Sequence, residues 1–290
     1  MKRLIGAASI ALAVAGCGGS GENDGGLSVV RNPPATTTTT PTAPTTPVTP
    51  DPAVPAAPAT NALGTGFYIG STPANERLNV LVLDENVYYV FYSSPGTPDA
   101  PAGVVTGNYS SGSGKLTTNS NGKDFNLEGA GYSLAAADLN VSYVPSTSMS
   151  GWLTYRNGKT VPLSSNYSTD YNYIASASGL KGDYAGNAVT LDTSALRSNG
   201  VVVHIDATGK ITTDAGTGCG FTGTATPRRQ GKVYDVTITT GGAPCLYTYT
   251  VMNGIAYYDP TTTHSLPTPG QLYLFAMRPD RQVGMLFTGR

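Results

Sequence analysis

The sequence predicts an all-β body of two tandem antiparallel meander units, each a small eight-stranded barrel or sandwich, behind an export signal and a Thr/Pro-rich linker. Three features predict it. From about residue 64 onward, apolar and polar residues alternate with period two, the spacing of a strand with one buried face. Beyond that point no stretch sustains a helical period, although SLAAADL (133–139) is long enough for a helical turn or two. Finally, a Gly-x-Tyr-x-Gly motif occurs as GFYIG (66–70) and again as GDYAG (182–186), as a repeated unit requires.

The chain starts with Lys2 and Arg3, continues through the apolar run LIGAASIALAVAG (4–16) and reaches Cys17. A basic start ahead of such a run is an export signal, too short for a spanning helix of about 20 residues, which assigns residues 1–16 to a signal peptide. Residues 17–63 follow as a linker, dominated by PPATTTTTPTAPTTPVTPDPAVPAAPAT (33–60). This tract has almost no apolar surface to bury and its prolines lack amide donors, so packing cannot offset the entropy of ordering it. Extended as polyproline II at about 3.1 Å per residue, it would reach roughly 80 Å. It serves either as a spacer or as a permissive low-complexity insert.

Within the body, NVLVLDENVYYVFYSS places two apolar runs around Asp84-Glu85-Asn86, a hairpin. VVVHIDATGKIT alternates Val201, Val203 and Ile205 on one face and turns at 206–209. KVYDVTITT sets Tyr234, Val236 and Ile238 against Asp235, Thr237 and Thr239, the pattern of a half-buried strand. Each Gly-x-Tyr-x-Gly is followed at broadly comparable distance by a Gly-x-x-x-Tyr segment, GWLTY (151–155) and GIAYY (254–258). The repeat divides the body into units 64–174 and 175–290, with the boundary near 172–178. Antiparallel meanders of this strand count close into barrels, whose interior is filled by side chains or holds one small ligand, or pack as sandwiches.

Three cysteines leave one without a partner if Cys219 and Cys245 pair. CGFTGTATP and KVYDVTITT form a hairpin around 228–231, which sets Cys219 opposite about Thr240 and lets Gly241-Gly242-Ala243-Pro244 fold Cys245 back towards it. In the oxidising compartment of an exported protein this is a disulfide worth about 3 kcal/mol; two free thiols are the alternative. Two cysteines with no neighbouring histidine fall short of a zinc ligand set.

Charged residues are only 12% of the chain and the formal net charge is −1, so it carries no basic footprint for nucleic acid. GSGK (112–115) lacks a phosphate loop's leading glycine, Tyr109 standing there, and its Ser/Thr, replaced by Leu116. TTNSNGKDFNLE (117–128) matches an EF-hand loop at Asn119, Asn121, Gly122 and Glu128, but Thr117 replaces the leading Asp and Asn121-Gly122 reads as a hairpin turn. His204 lies on a strand face opposite Val203 and Ile205, His264 lies in a Pro/Thr-rich loop, and no Gly-x-Ser-x-Gly elbow is present. The tyrosines carry a clearer signal. YYVFY (88–92) fits cross-strand packing, whereas Tyr167, Tyr171 and Tyr173 sit between the two units as candidate exposed binding residues.

Val14-Ala15-Gly16-Cys17 resembles the bacterial lipoprotein box. The resemblance implies a diacylglycerol thioether on Cys17, cleavage before it and acylation of the new amino terminus, and two or more acyl chains give a durable membrane anchor. Gly18, in place of the Asp that retains lipoproteins at the inner membrane, implies the outer membrane. Segments 68–131 and the later GCGFTGTATP, VYDVTITTGGAPC and GIAYYD are similar to a family of uncharacterised proteobacterial lipoproteins, which brings no known activity. The layout of anchor, linker and β-barrels is similar to that of surface lipoproteins of the transferrin-binding type. The resulting expectation is a non-catalytic binding module held on the membrane by its lipid, facing the periplasm or the surface. It needs no cofactor or metal, and its partner is a small ligand or an envelope protein. The alternatives are a structural envelope spacer and an envelope hydrolase.

Overall fold

In the computed structural model, which describes residues 64–118, 120–128, 134–261 and 270–290, the alternating segments become strands. The signal peptide, Cys17, the linker and His264 lie outside the described residues. The first set of strands is β1 (Gly66–Ser71), β2 (Arg77–Val82), β3 (Val87–Ser94), β4 (Thr97–Gly112), β5 (Lys115–Thr118), β6 (Lys123–Asn126), β7 (Ala135–Val144), β8 (Ser148–Tyr155) and β9 (Thr160–Tyr167). Two single-turn 3₁₀ helices, Thr169–Asn172 and Ala177–Leu180, lead into the second set. That set is β10 (Gly182–Leu191), β11 (Leu196–Ile205), β12 (Lys210–Asp214), β13 (Phe221–Pro227), β14 (Val233–Thr240), β15 (Val251–Asp259), β16 (Gln271–Met277) and β17 (Gly284–Gly289).

Both sets close into antiparallel barrels, which decides between barrel and sandwich. β10 to β17 pair in sequence and β17 returns to β10, with Gly186 opposite Gly289. In the first barrel β9 returns to β1, while β5 and β6 share one position between β4 and β7, so nine strands close as eight rungs. Two local expectations change here. Asn121-Gly122 is not a hairpin turn: a step of three along β4, Thr106 to Tyr109, faces a step of five from Lys123 back to Thr118, so the segment is a bulged interruption within one strand. The described part of SLAAADL, 134–139, is not helical either; Ala137, Leu139, Val141 and Tyr143 continue one inward-facing row, and this strand alternation overrides the helix preference of its alanines. GSGK is the two-residue turn from β4 to β5, with Ser113 and Gly114 both at positive φ.

The paired glycine motifs do the same structural job in both barrels. Tyr68 and Tyr184 each donate a hydroxyl hydrogen bond to the carbonyl four residues upstream, at Gly64 and Leu180, both at 3.0 Å. The second glycine of each motif lets the barrel close: a Cβ on Gly70 would lie 1.9 Å from the Ser164 carbonyl oxygen of β9, and one on Gly186 would lie 2.0 Å from that of Thr288 on β17. The later Gly-x-x-x-Tyr segments are not equivalent. GWLTY lies on β8, the next-to-last strand of its barrel, whereas GIAYY lies on β15, two strands before the last.

Side chains fill both barrels. Tyr68, Tyr88, Tyr109 and Tyr143 point into the first, packed with Val80, Val90, Leu116 and Leu139. Val203, Ile205, Ile238, Leu274, Met285 and Phe287 fill the second. The alternate residues of β2, β3 and β15 to β17, with Phe125 of β6, form a third core between the barrels, including Leu81, Tyr89, Phe91, Tyr257, Tyr273, Phe275 and Leu286. Burial on both faces explains why NVLVL, YYVFY and QLYLF read as nearly unbroken apolar runs, whereas β14, with one wet face, alternates cleanly. Phe91 sits at the centre, its ring 5.1 Å from Tyr257, 5.6 Å from Tyr273 and 6.5 Å from Phe275. Polar locks border this core. Arg77 on β2 reaches Asp259 at 2.7 Å, and Asn79 bonds Asp259 and the Tyr257 hydroxyl. Arg228 joins Asp84 and Glu85, in the β2–β3 turn, to Asp235 on β14.

The Cys219–Cys245 disulfide is present, with Cα atoms 4.5 Å apart. Its register differs from the expected one by two residues, since Phe221 rather than Cys219 faces Thr240. Gly241 N–H donates to the Gly220 carbonyl, which brings the following loop back across the hairpin and Cys245 to its partner.

Candidate binding site at the barrel seam

The connector between the barrels borders a cleft on the surface. Ser168 caps its first 3₁₀ turn by accepting from Asp170 N–H, and Ala175 N–H donates to the Gly231 carbonyl at 3.0 Å, tying the segment to the β13–β14 turn. Between these ties the three candidate tyrosines take different positions. Tyr171 is not exposed: it is buried at 5% exposure in the core between the barrels, edge-on to Tyr167, because the Gly231 position leaves room for its ring. Tyr167 is half-buried and donates its hydroxyl to Asn172 Oδ1 at 2.7 Å. Tyr173 alone is exposed, with the Lys232 ammonium 4.7 Å above its ring.

Beside Tyr173 opens a pocket of about 360 Å³, within the size range of small-molecule sites. Ile174, Ala175 and Leu180 of the connector form one wall, and Tyr234 and Tyr258 form the other, with Lys232 on the rim. The Tyr234 wall is held by a hydrogen bond to the connector, and burial keeps its hydroxyl neutral. Tyr234 donates to the Ser176 carbonyl at 2.9 Å; burial, with a smaller contribution from Tyr184, pushes its pKa up to about 12. Tyr184, 6.4 Å ring to ring from Tyr258, is likewise raised by burial. Lys232 is half-exposed and pairs with Asp170 at 3.0 Å. Sequence reasoning reached the connector tyrosines but missed Lys232, Tyr234 and Tyr258. KVYDV announces only a strand, and what its tyrosine faces depends on a segment some sixty residues earlier, at Ser176.

Two titratable groups elsewhere call for a chemical reading. Asp124 lies inside the first barrel at 1% exposure and accepts from the Tyr92 and Tyr155 hydroxyls at 2.7 and 2.8 Å. Burial pushes its pKa up to about 6, the hydroxyl donors and Asn126 holding it back. Raised above its unfolded value, this group contributes stability below about pH 4 that is lost as the pH rises through 6, to a limit of about 3 kcal/mol. Asp124→Asn is therefore expected to gain on wild type across pH 4 to 6 and to end about 2 kcal/mol more stable at pH 7 by chemical denaturation. A stability difference that stays flat across that range would contradict the assignment.

His204 has a partner that spacing did not reveal: its Nδ1 lies 2.7 Å from Asp183 Oδ1, the residue opposite it in the β10–β11 register, with Thr212 opposite on the other side. The pair stands on the outer wall of the second barrel, His204 at 41% and Asp183 at 75% side-chain exposure, and neither residue lines the pocket. Among the described residues, no group of three or more His, Cys, Asp or Glu gathers where a metal could be held.

No family model and no curated protein matches the chain. Among solved structures it is similar to isotype 1 transferrin binding protein B from serogroup B Neisseria meningitidis, at 13% identity and a TM-score of 0.28, over 76% of this chain and 51% of that one. It is also similar to a protein of unknown function from the DUF3598 family of Nostoc punctiforme, at 12% identity and a TM-score of 0.25, over 77% of this chain and 93% of that one. The chain thus spans about half the length of the transferrin-binding structure.

Proposed function

We propose that the protein is the ligand-binding head of an envelope lipoprotein, anchored through Cys17, spaced from the outer membrane by its Thr/Pro tract, and acting by binding rather than catalysis. The observation that carries this reading is the seam pocket. Both barrel interiors are filled by their own side chains, while about 360 Å³ lies open beside the connector, walled by apolar and tyrosine side chains with one cation on the rim. The lipoprotein box and the compositional break before residue 64 support the anchored arrangement.

Two experiments separate the parts of this reading. Labelled palmitate is expected on the wild-type protein and absent from Cys17→Ser, and a protein exported without label would remove the anchor. The full chain, offered ester, glycan and peptide substrates, is expected to turn over none of them. Turnover abolished by His204→Ala would replace the binding reading with a hydrolase built on the Asp183–His204 pair.

A further inference from the structure

We infer that the seam pocket takes a small organic acid, with its apolar body between Ile174, Leu180, Tyr234 and Tyr258 and its carboxylate on the Lys232 ammonium. This rests on the reading of the chain as a binding head and names the chemistry of what it holds. Charge and shape both point to this class of ligand. The walls are aliphatic and aromatic, and the Tyr234 hydroxyl, donating to the Ser176 carbonyl, brings a polar group but no negative charge. Among the described residues, Lys232 is the one charged side chain lining the space.

Lys232 is positioned rather than loose. Its ammonium is held over the Tyr173 ring at 4.7 Å and against Asp170 at 3.0 Å. An ammonium carries three donors, so it can keep Asp170 and accept a second carboxylate at once. The Asp170 pair is partly solvated, with side-chain exposures of 49% and 33%, which leaves the cation open to a competing anion. A cationic head group would meet Lys232 at the rim, and a neutral one would leave its remaining donors to water.

Titration calorimetry of the full-length protein with octanoate, 1-octanol and octyltrimethylammonium tests this. Ser176→Trp, which fills the pocket from its exposed rim, defines background partitioning. Octanoate is expected to bind about fivefold or more tighter than octanol, and the quaternary ammonium weakest. Lys232→Met is expected to weaken octanoate about tenfold while leaving octanol within about twofold. Raising the salt concentration should weaken octanoate selectively. Equal binding of octanoate and octanol, unaltered by Lys232→Met, would overturn the carboxylate assignment and leave the pocket standing. Binding of neither probe above the Ser176→Trp background would overturn the pocket itself.

Discussion

Phe91→Ala is expected to destabilise the protein by about 3–5 kcal/mol in chemical denaturation, the range for truncating a large aromatic in a packed core. Phe91 is 3% exposed and lies on the outward face of β3, so what it loses is not the first barrel's interior but its contacts with Tyr257, Tyr273 and Phe275 of the second. The same core includes Phe125, whose ring lies 4.9 Å from that of Phe275 and occupies the space a Cβ on Gly284 would need. Deleting the central ring leaves a cavity lined by stiff aromatic groups that cannot collapse into it, which places the effect towards the upper end. As a control, Trp152→Ala, at 56% exposure on the outer wall of the first barrel, should change stability by about 0.5 kcal/mol or less. A loss below about 1 kcal/mol for Phe91→Ala would mean that the two barrels do not depend on their shared core.

Removing the disulfide is the second large effect. With its ends 26 positions apart in sequence, the Cys219–Cys245 bridge constrains the unfolded chain by about 3.5 kcal/mol in the loop-entropy model, so the double Cys→Ala variant should lose about that much. The loss should be felt locally as well. Tyr247, two residues after Cys245, donates to Asp192 between β10 and β11, and Thr240 caps the same loop by accepting from Thr250 N–H at 2.9 Å. Asp192 is held near a pKa of about 2 by bonds from Tyr247, Ser194 and Ala195 that outweigh the opposing effect of its burial. Hydrogen exchange is therefore expected to rise first across residues 241–250, before the β14–β15 ladder opens. Unchanged stability on reduction would show that these hydrogen bonds hold the loop without the bridge.

Much of this architecture could be read from residue patterns because it depends on local spacing. Alternation identified the hairpins around 84–86, 206–209 and 228–231, and two glycine motifs marked the first strand of each barrel. Where the reading failed, a distant partner decided the outcome. Asn121-Gly122 has the chemistry of a tight turn, yet β4 continues past it and pairs with both flanking segments, so it became a bulge. Ala135–Ala137 favour a helix locally, but β8 pairs with the segment and Leu139, Val141 and Tyr143 extend its inward row. Tyr171 appeared exposed because it lies between two units, and only the docking of the barrels on each other buries it. The pocket was illegible for the same reason. Its walls come from the connector, from the approach to β14 and from the end of β15, segments far apart in the chain.

The same docking explains how a chain with little charge still holds two barrels in fixed register. Apolar and aromatic surface supplies the driving force, and Arg77 and Arg228 each span the two barrels at the edges of that surface. Arg228 is buried at 7% side-chain exposure among the exposed carboxylates of Asp84, Glu85 and Asp235, so removing it would leave three like charges side by side without the cation that joins them.

Native mass spectrometry of the full protein extracted from its own membrane tests the binding reading most directly. The wild-type protein should carry a small molecule beyond its lipid, acidic once released, and the Ser176→Trp protein should not. A wild-type spectrum showing the lipidated chain alone, indistinguishable from that of Ser176→Trp, would contradict the assignment of the seam as a ligand site.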